Sequence, residues 1–243
     1  MGSTGPSDPL TPAGRRVIVT GARGGLGRAT VELLERSGCT VAGCDIEDFD
    51  VRDPAAAAAG VGALVGRLGG CDAVVANAAV VDTIHRAERF PDAEWQKDLE
   101  TNLSGAFNVI RAVFDALRES GDGRVVVLSS AAAETGLPGQ VAYAAAKAGL
   151  VGMARTLAAE WGPHGVRCNV VMPGLIATPK VLALPEALRR SIAEALPLGR
   201  IGQPAELAAT IAFLLSPAAA YITGTVIRVD GGYGLNTSSL ASS

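Results

Sequence analysis

The sequence predicts a single-domain α/β protein, a doubly wound parallel sheet with helices on both faces. Three observations carry this. Short runs rich in Val and Ile, apolar on both faces, alternate with longer segments of helical period, as in strands buried between helix layers and joined by crossover helices. A glycine-rich stretch lies between the first apolar run and the first helical segment, where sheets of this kind turn toward a ligand. The 243 residues are enough for one full core, with no internal repeat or linker to divide them.

The elements follow in order. Strands are expected at 17–20, 40–44, 73–76, 124–129, 167–172 and 226–229, with one more short piece at 49–51. Helices are expected at 26–37, 54–68, 92–119 with a break near Glu100, 141–161, 185–195 and 204–215. Gly38 ends the first helix, since glycine takes the left-handed cap at no steric cost, and Gly162-Pro163 ends the fourth. Right-handed crossovers then distribute the helices over both faces. Residues 1–14 and 234–243, polar and rich in Gly, Ser and Thr, read as a flexible lead-in and a tail around a domain of 15–233.

Composition narrows the function classes. The 43 alanines and 30 glycines outweigh the 4% aromatics, so the apolar character comes from small side chains that let helices and strands approach closely. The net charge of −3 is scattered, without the basic cluster that nucleic acid requires. A mean hydropathy of +0.31 raises the membrane question. The uncharged stretch 207–227 is long enough to span, but Ser216-Pro217 and Gly224 interrupt it. It reads instead as a buried helix, a loop and a strand. The N-terminal residues lack the basic and apolar regions of a secretory signal. Cys39, Cys44, Cys71 and Cys168 form no CxxC pair and flank apolar runs, which predicts buried thiols in a reducing, cytoplasmic compartment. His85 and His164 stand far apart, so no metal site is expected.

Two constellations carry chemistry. The stretch Thr20-Gly21-Ala22-Arg23-Gly24-Gly25-Leu26-Gly27 is a dinucleotide-binding turn. Gly21 permits the turn, Gly25 lets the backbone approach a pyrophosphate, Gly27 allows helix and strand to pack closely, and Leu26 opens the helix whose N-terminus attracts the anion. Asp45, at the end of the second strand, is placed to bind ribose hydroxyls and to repel a 2′-phosphate, which favours NAD over NADP. Arg23, able to neutralise such a phosphate, is the one contrary sign. Downstream, Tyr143 and Lys147 lie four apart on one helix face. An ammonium beside a phenol favours the phenolate, which would make Tyr143 an acid or base near neutral pH. Ser130, at the end of a strand, is placed to hold a carbonyl oxygen.

With these motifs the chain resembles the short-chain dehydrogenase/reductase family over residues 15–233. Besides the glycine turn and the Ser130, Tyr143, Lys147 spacing, the resemblance rests on Asn77-Ala78, taken to follow the fourth strand, and on Thr101-Asn102-Leu103. It continues through Asn169, Pro173-Gly174 to Thr178, Pro197 to Arg200, Gln203-Pro204 and Asp230-Gly231-Gly232. It implies a Rossmann fold and a nicotinamide-dependent oxidoreductase. Tyr143 would be the acid/base, Lys147 would lower its pKa and bond the ribose, Ser130 would position the substrate oxygen and Asn102 would support a proton-relaying water. Asp50 and Val51 would flank the adenine, with Ile176 and Thr178 near the nicotinamide amide. A homotetramer or homodimer would form through helices near 95–119 and 141–161. Two departures are Ala76 and Ala79, where the family has Asn and Gly. The span from Asp45 to Asn77 is also short, through a truncated helix at 54–68 or a clipped loop before it.

Substrate choice is expected in the segment 175–202, in the loop after Ser130 and after Asn77. In the first, Val181, Leu182, Leu184, Leu188, Ile192 and Leu196 read as a surface helix packing one apolar face on the core, as a lid that excludes water, or as both, and an apolar lid suits an alicyclic, aromatic or otherwise apolar ketone or secondary alcohol. Glu134, Asp82 and His85 are candidate polar handles. The alternatives are an NADPH-dependent 3-oxoacyl-type ketoreductase and a non-catalytic dinucleotide-binding regulator.

Overall fold

The computed structural model describes residues 8–235. Among them, β1 (Arg16–Thr20), β2 (Thr40–Cys44), β3 (Ala73–Ala76), β4 (Gly123–Leu128), β5 (Val166–Pro173) and β6 (Val226–Val229) form one parallel sheet in the order β2-β1-β3-β4-β5-β6. The helices are α1 (Gly25–Arg36), α2 (Pro54–Leu68), α3 (Asp92–Leu99), α4 (Gly105–Glu119), α5 (Ala132–Thr135), α6 (Val141–Trp161), α7 (Pro179–Leu182), α8 (Glu186–Glu194) and α9 (Pro204–Leu215). This is the expected doubly wound Rossmann architecture.

Strand periodicity builds the two-layered core. Ile18 of β1 and Val74 of β3 face a layer formed by Val61 of α2, Val109, Ile110, Val113 and Leu117 of α4, and Leu150 and Leu157 of α6. Their neighbours Val17, Val19 and Val75 face the opposite layer, with Leu34 of α1 and Leu207, Ile211, Leu214 and Leu215 of α9. Each side chain of this size stabilises the fold by about 1.5–3 kcal/mol when fully buried. The edge strands β2 and β6 are only partly covered.

The order reverses beside β1. The chain leaves β1 outward to β2 and returns to β3 on the other side. The carboxyl ends of β1 and β3 therefore diverge and open a crevice.

Four expectations change. Residues 49–51 are not a strand. Phe49 lies against Gly60 of α2, where a Cβ would come within 2.2 Å of the ring, and Val51 seats on Gly105 while its carbonyl accepts from Asn108 Nδ2 at 3.0 Å. Pinned across two helices, this segment cannot pair with β2, so Asn77 follows the third strand rather than the fourth. The helix at 54–68 is not truncated: Asp53 caps it by accepting from Ala55 N at 2.8 Å and Ala56 N at 3.2 Å. Near Glu100 there is no break but a π turn (Glu100–Ser104) joining α3 to α4 with helical backbone throughout, since one wide turn absorbs the register change. Residues 8–14 are held to the domain, with Pro9 O accepting from Ala218 N at 2.9 Å and Gly14 N donating to Gly38 O at 2.9 Å. The rest of the expected lead-in and tail, 1–7 and 236–243, lies outside the described residues.

The stretch 207–227 divides among α9, a 3-10 turn at Pro217–Ala219 and β6. Among the described residues no helix is long and apolar enough to cross a membrane. All four cysteines are buried, and burial pushes the thiols up to between about 11 and about 12.

Ile110 is fully buried between α4 and the sheet. Ile110→Ala should lower the unfolding free energy by about 2–5 kcal/mol, read as a lower urea midpoint with an unchanged slope.

Candidate active site

The crevice is held open by two side chains. Thr20 Oγ1 accepts from Asn77 N at 3.1 Å and Ala78 N at 3.0 Å. Asn77 Nδ2 donates to Thr20 O at 3.0 Å and Gly21 O at 3.1 Å. The backbone turns away at Gly21, with φ +63°. A Cβ on Gly27 would stand 2.0 Å from Gly21 O, so only glycine lets α1 pass this close beneath the turn.

A cleft of about 750 Å³ follows. At one end it is lined by Gly21, Gly25, Leu26, Gly27, Asp45, Asp50 and Val51. Asn77, Ala78, Pro173, Gly174, Ile176 and Thr178 line its middle, and Ser130, Tyr143 and Lys147 its inner end. Among the described residues no side chain caps α1, and its first turn carries no acidic residue. Its N–H groups and positive dipole end are left for an anion, and the bare glycine backbone fits a pyrophosphate. Gly25 also approaches the segment after β5: a Cβ there would meet Thr178 Cβ and Pro179 Cδ, each at 2.9 Å. Ala79, one of the two departures, lines the cleft, while Ala76 is buried in β3.

Arg23 does not line this cleft. Its guanidinium bonds Glu47 at 2.8 Å and Asp48 at 3.0 Å on the rim, and only its backbone N turns inward, donating to Asp45 Oδ2 at 3.1 Å. The contrary sign for a 2′-phosphate is thus occupied by protein carboxylates. Asp50 is likewise engaged by Arg52, at 2.6 Å.

At the inner end, Ser129 Oγ donates to Lys147 O at 2.8 Å and ties β4 to α6. Lys147, 3% exposed, donates from Nζ to Leu128 O at 2.7 Å and lies 5.7 Å from the centroid of the Tyr143 ring. Burial lowers its pKa to about 8. The expected lowering of Tyr143 by this lysine is not found. Burial pushes the phenol up, a hydrogen bond with Ser130 opposes that, and the charge of Asp98 adds to it. In a dry site the charged form of both groups is disfavoured, and the lysine is held by a carbonyl rather than by the phenol.

Asn102 braces the loop that leads from β3 into the site. It is fully buried in the π turn, where Oδ1 accepts from Val80 N at 2.8 Å and Nδ2 donates to Val80 O at 2.9 Å. Both ends of the amide hold the loop after β3, and Val80 of that loop and the adjacent Thr101 line the cleft.

The three candidate handles all have protein partners. Glu134 pairs with Arg228 at 2.9 Å, Asp82 with Lys180 of α7, and His85 Nε2 lies 2.9 Å from Glu94 Oε2. The rest of the lining is mostly apolar, with Val80, Val81, Leu137, Leu175 and Val181, interrupted by Lys97, Thr101, Gln140 and Lys180. The sequence reading missed Gln140, a buried residue whose Nε2 donates to Val81 O at 2.9 Å. A polar residue just before α6, three ahead of Tyr143, was the available signal.

A family model described as enoyl-(acyl carrier protein) reductase matches residues 13–234. The fold and cleft are those of a nicotinamide-dependent oxidoreductase, and the chain belongs to the short-chain dehydrogenase/reductase family, whose members act on CH–OH or keto groups. It is 38% identical to the short-chain reductase protein NovJ of Streptomyces niveus, over 88% of this chain and 92% of that protein. It is 37% identical to the 3-oxoacyl-(acyl-carrier-protein) reductase FabG of Escherichia coli, over 90% of this chain and 97% of that one. Among solved structures, levodione reductase matches with a TM-score of 0.84 at 35% identity, covering 90% of this chain and 97% of its own.

Because Lys147 has a folded pKa of about 8, below the ordinary value near 10.4, the folded state loses its proton first as pH rises. Wild-type stability should therefore climb between about pH 8 and 10. Lys147→Met lacks this group, so thermal melting across that window should show the wild type gaining on the variant.

Proposed function

We propose that the protein moves hydride between NAD(H) and a secondary alcohol or ketone of apolar character, with Tyr143 as acid/base. The observation that carries this reading is one continuous cleft, with Asp45 and the glycine turn at one end and Ser130, Tyr143 and Lys147 at the other. The nicotinamide, when bound, supplies or accepts the hydride at the carbinol carbon. Ser130 holds the substrate oxygen. In reduction Tyr143 gives that oxygen its proton, and in oxidation it removes it. Lys147, fixed by Leu128 O, orients the inner end of the cleft and presents its remaining N–H donors there. Pro173, Gly174, Ile176 and Thr178, which line the cleft, would hold the nicotinamide, and Asp50 and Val51 would flank the adenine. The apolar walls exclude water and accept an alicyclic, aromatic or fatty substrate.

Asp45 supports NAD over NADP. Two unit charges about 4 Å apart repel by about 4 kcal/mol at an effective dielectric of 20, and partial exposure of Asp45 leaves enough for about a tenfold preference. The engagement of Arg23 by Glu47 and Asp48 supports it further. A second reading, an NADPH-dependent reductase of 3-oxoacyl thioesters, is favoured by the identity to proteins named 3-oxoacyl-(acyl-carrier-protein) reductase and acetoacetyl-CoA reductase.

Separate titrations with NADH and NADPH decide the cofactor. NADH should bind at least about tenfold more tightly, and a tighter constant for NADPH overturns the role given to Asp45. A panel of cyclic, aromatic and acyl ketones, followed by nicotinamide absorbance, decides the substrate class. Tyr143→Phe should abolish turnover while leaving cofactor affinity unchanged, and undiminished turnover would refute the mechanism.

A further inference from the structure

Arg228 is a cation that the mechanism above does not use, and several parts of the chain converge on it. It lies on β6 in register with Met172 of β5, next to the pair Pro173 and Val229. Its Nε donates to Asp230 Oδ2 at 2.7 Å, its Nη1 to Glu134 Oε2 at 2.9 Å, and its Nη2 to Tyr233 O. The planar fork of a guanidinium holds several acceptors in fixed directions at once, which an ammonium on a flexible stem does not.

The two carboxylates belong to elements that reach the site. Glu134 lies on α5, the short helix after Ser130. Ala132 N donates to Ser130 Oγ at 3.2 Å and Ala133 N to Ser130 O at 2.9 Å, so the turn that carries Glu134 also sets the Ser130 hydroxyl. Asp230 backs a different part of the lining. Gly174 lines the cleft, and a Cβ on it would come within 2.8 Å of Asp230 Cα. Asp230 is itself fixed, its Oδ1 accepting from Gly232 N at 3.0 Å. The start of the Ser130 turn is pinned to β5 by Ala131 N, which donates to Pro173 O at 2.9 Å. One pin leaves a pivot. The bond from Arg228 to Glu134 is a second pin at the far end of the turn, and it removes that freedom.

We propose that Arg228 is a positioning residue for hydride transfer: by tying α5 to the turn behind Gly174, it sets where a substrate oxygen held by Ser130 stands relative to the nicotinamide. The inference rests on the roles proposed above for Ser130 and Gly174. Hydride passes only when the carbonyl carbon and the nicotinamide meet in one orientation, so a small shift of either holder slows the step while every reacting group stays in place. The Glu134 and Arg228 side chains are partly exposed, so their pairing adds little to overall stability. Its loss falls on alignment.

Glu134→Ala removes one exposed carboxylate and one tie, and Arg228→Met removes every tie. Ketone reduction is followed with whichever of NADH and NADPH binds more tightly, carrying hydrogen or deuterium at both C4 positions. In Glu134→Ala kcat should fall about threefold, with the melting temperature within about two degrees of the wild type. In Arg228→Met kcat should fall about tenfold. In both, the KM of the cofactor should stay within about twofold of the wild type and the deuterium effect on kcat should rise, because hydride transfer has become slower than the other steps. Unchanged kcat in both variants overturns the proposal, and so does a loss of kcat without a larger deuterium effect. Glu134→Ala leaves the sheet untouched, so it decides the matter if Arg228→Met fails to fold. A wild type that reduces no ketone with either cofactor overturns the functional reading and this inference together, whereas an active wild type matched by the variants overturns the inference alone.

Discussion

The hydrogen bonds between Thr20 and Asn77 are the constraint on which the rest of the site depends. Where β1 and β3 part, their last peptide groups lose the neighbours that a continuous sheet provides. Buried groups left in that condition are destabilising. The Thr20 hydroxyl takes the N–H groups of Asn77 and Ala78, and the Asn77 amide returns two bonds to Thr20 and Gly21. With the parting satisfied, the turn at Gly21 is fixed, Gly27 fits beneath it, and α1 starts with its N-terminus toward the cleft. The glycine turn is thus held by two uncharged side chains that do not carry the chemistry.

The inner end follows a different logic, that of dryness. Packing α6 against β4 buries Lys147 and leaves its ammonium a carbonyl partner, and the same packing raises the phenol of Tyr143. In a poorly screened environment small charges have large effects. The protein alone therefore holds a neutral phenol next to a readily deprotonated amine. Its raised pKa keeps that phenol protonated, so forming the tyrosinate that takes a proton from an alcohol calls on additional positive charge beside it.

Much of this was legible in the sequence, and what was not has physical reasons. The strands and most helices were plain because buried parallel strands and amphipathic helices leave strong periodic patterns, and Gly21, Gly27, Ser130, Tyr143 and Lys147 sit at fixed offsets from their ends. Phe49 and Val51 looked like strand residues because apolar β-formers read alike whether they pair or pack. Their true partners, Gly60 and Gly105, lie on two separate helices. Arg23 looked available because pairing with Glu47 and Asp48 depends on how the rim folds. Asn102 lay in the expected motif, but the π turn directs its amide to Val80. Asp98 looked like any helix-surface acid, since nothing in its neighbours in sequence reveals that it is buried against the Thr83 hydroxyl.

Gly25 stands against Thr178 and Pro179, so the glycine turn and the segment after β5 share one van der Waals boundary. A side chain at position 25 would meet both at 2.9 Å. Its lack of a side chain therefore serves two elements at once: it bares the backbone of the turn, and it lets the segment after β5 lie directly on it.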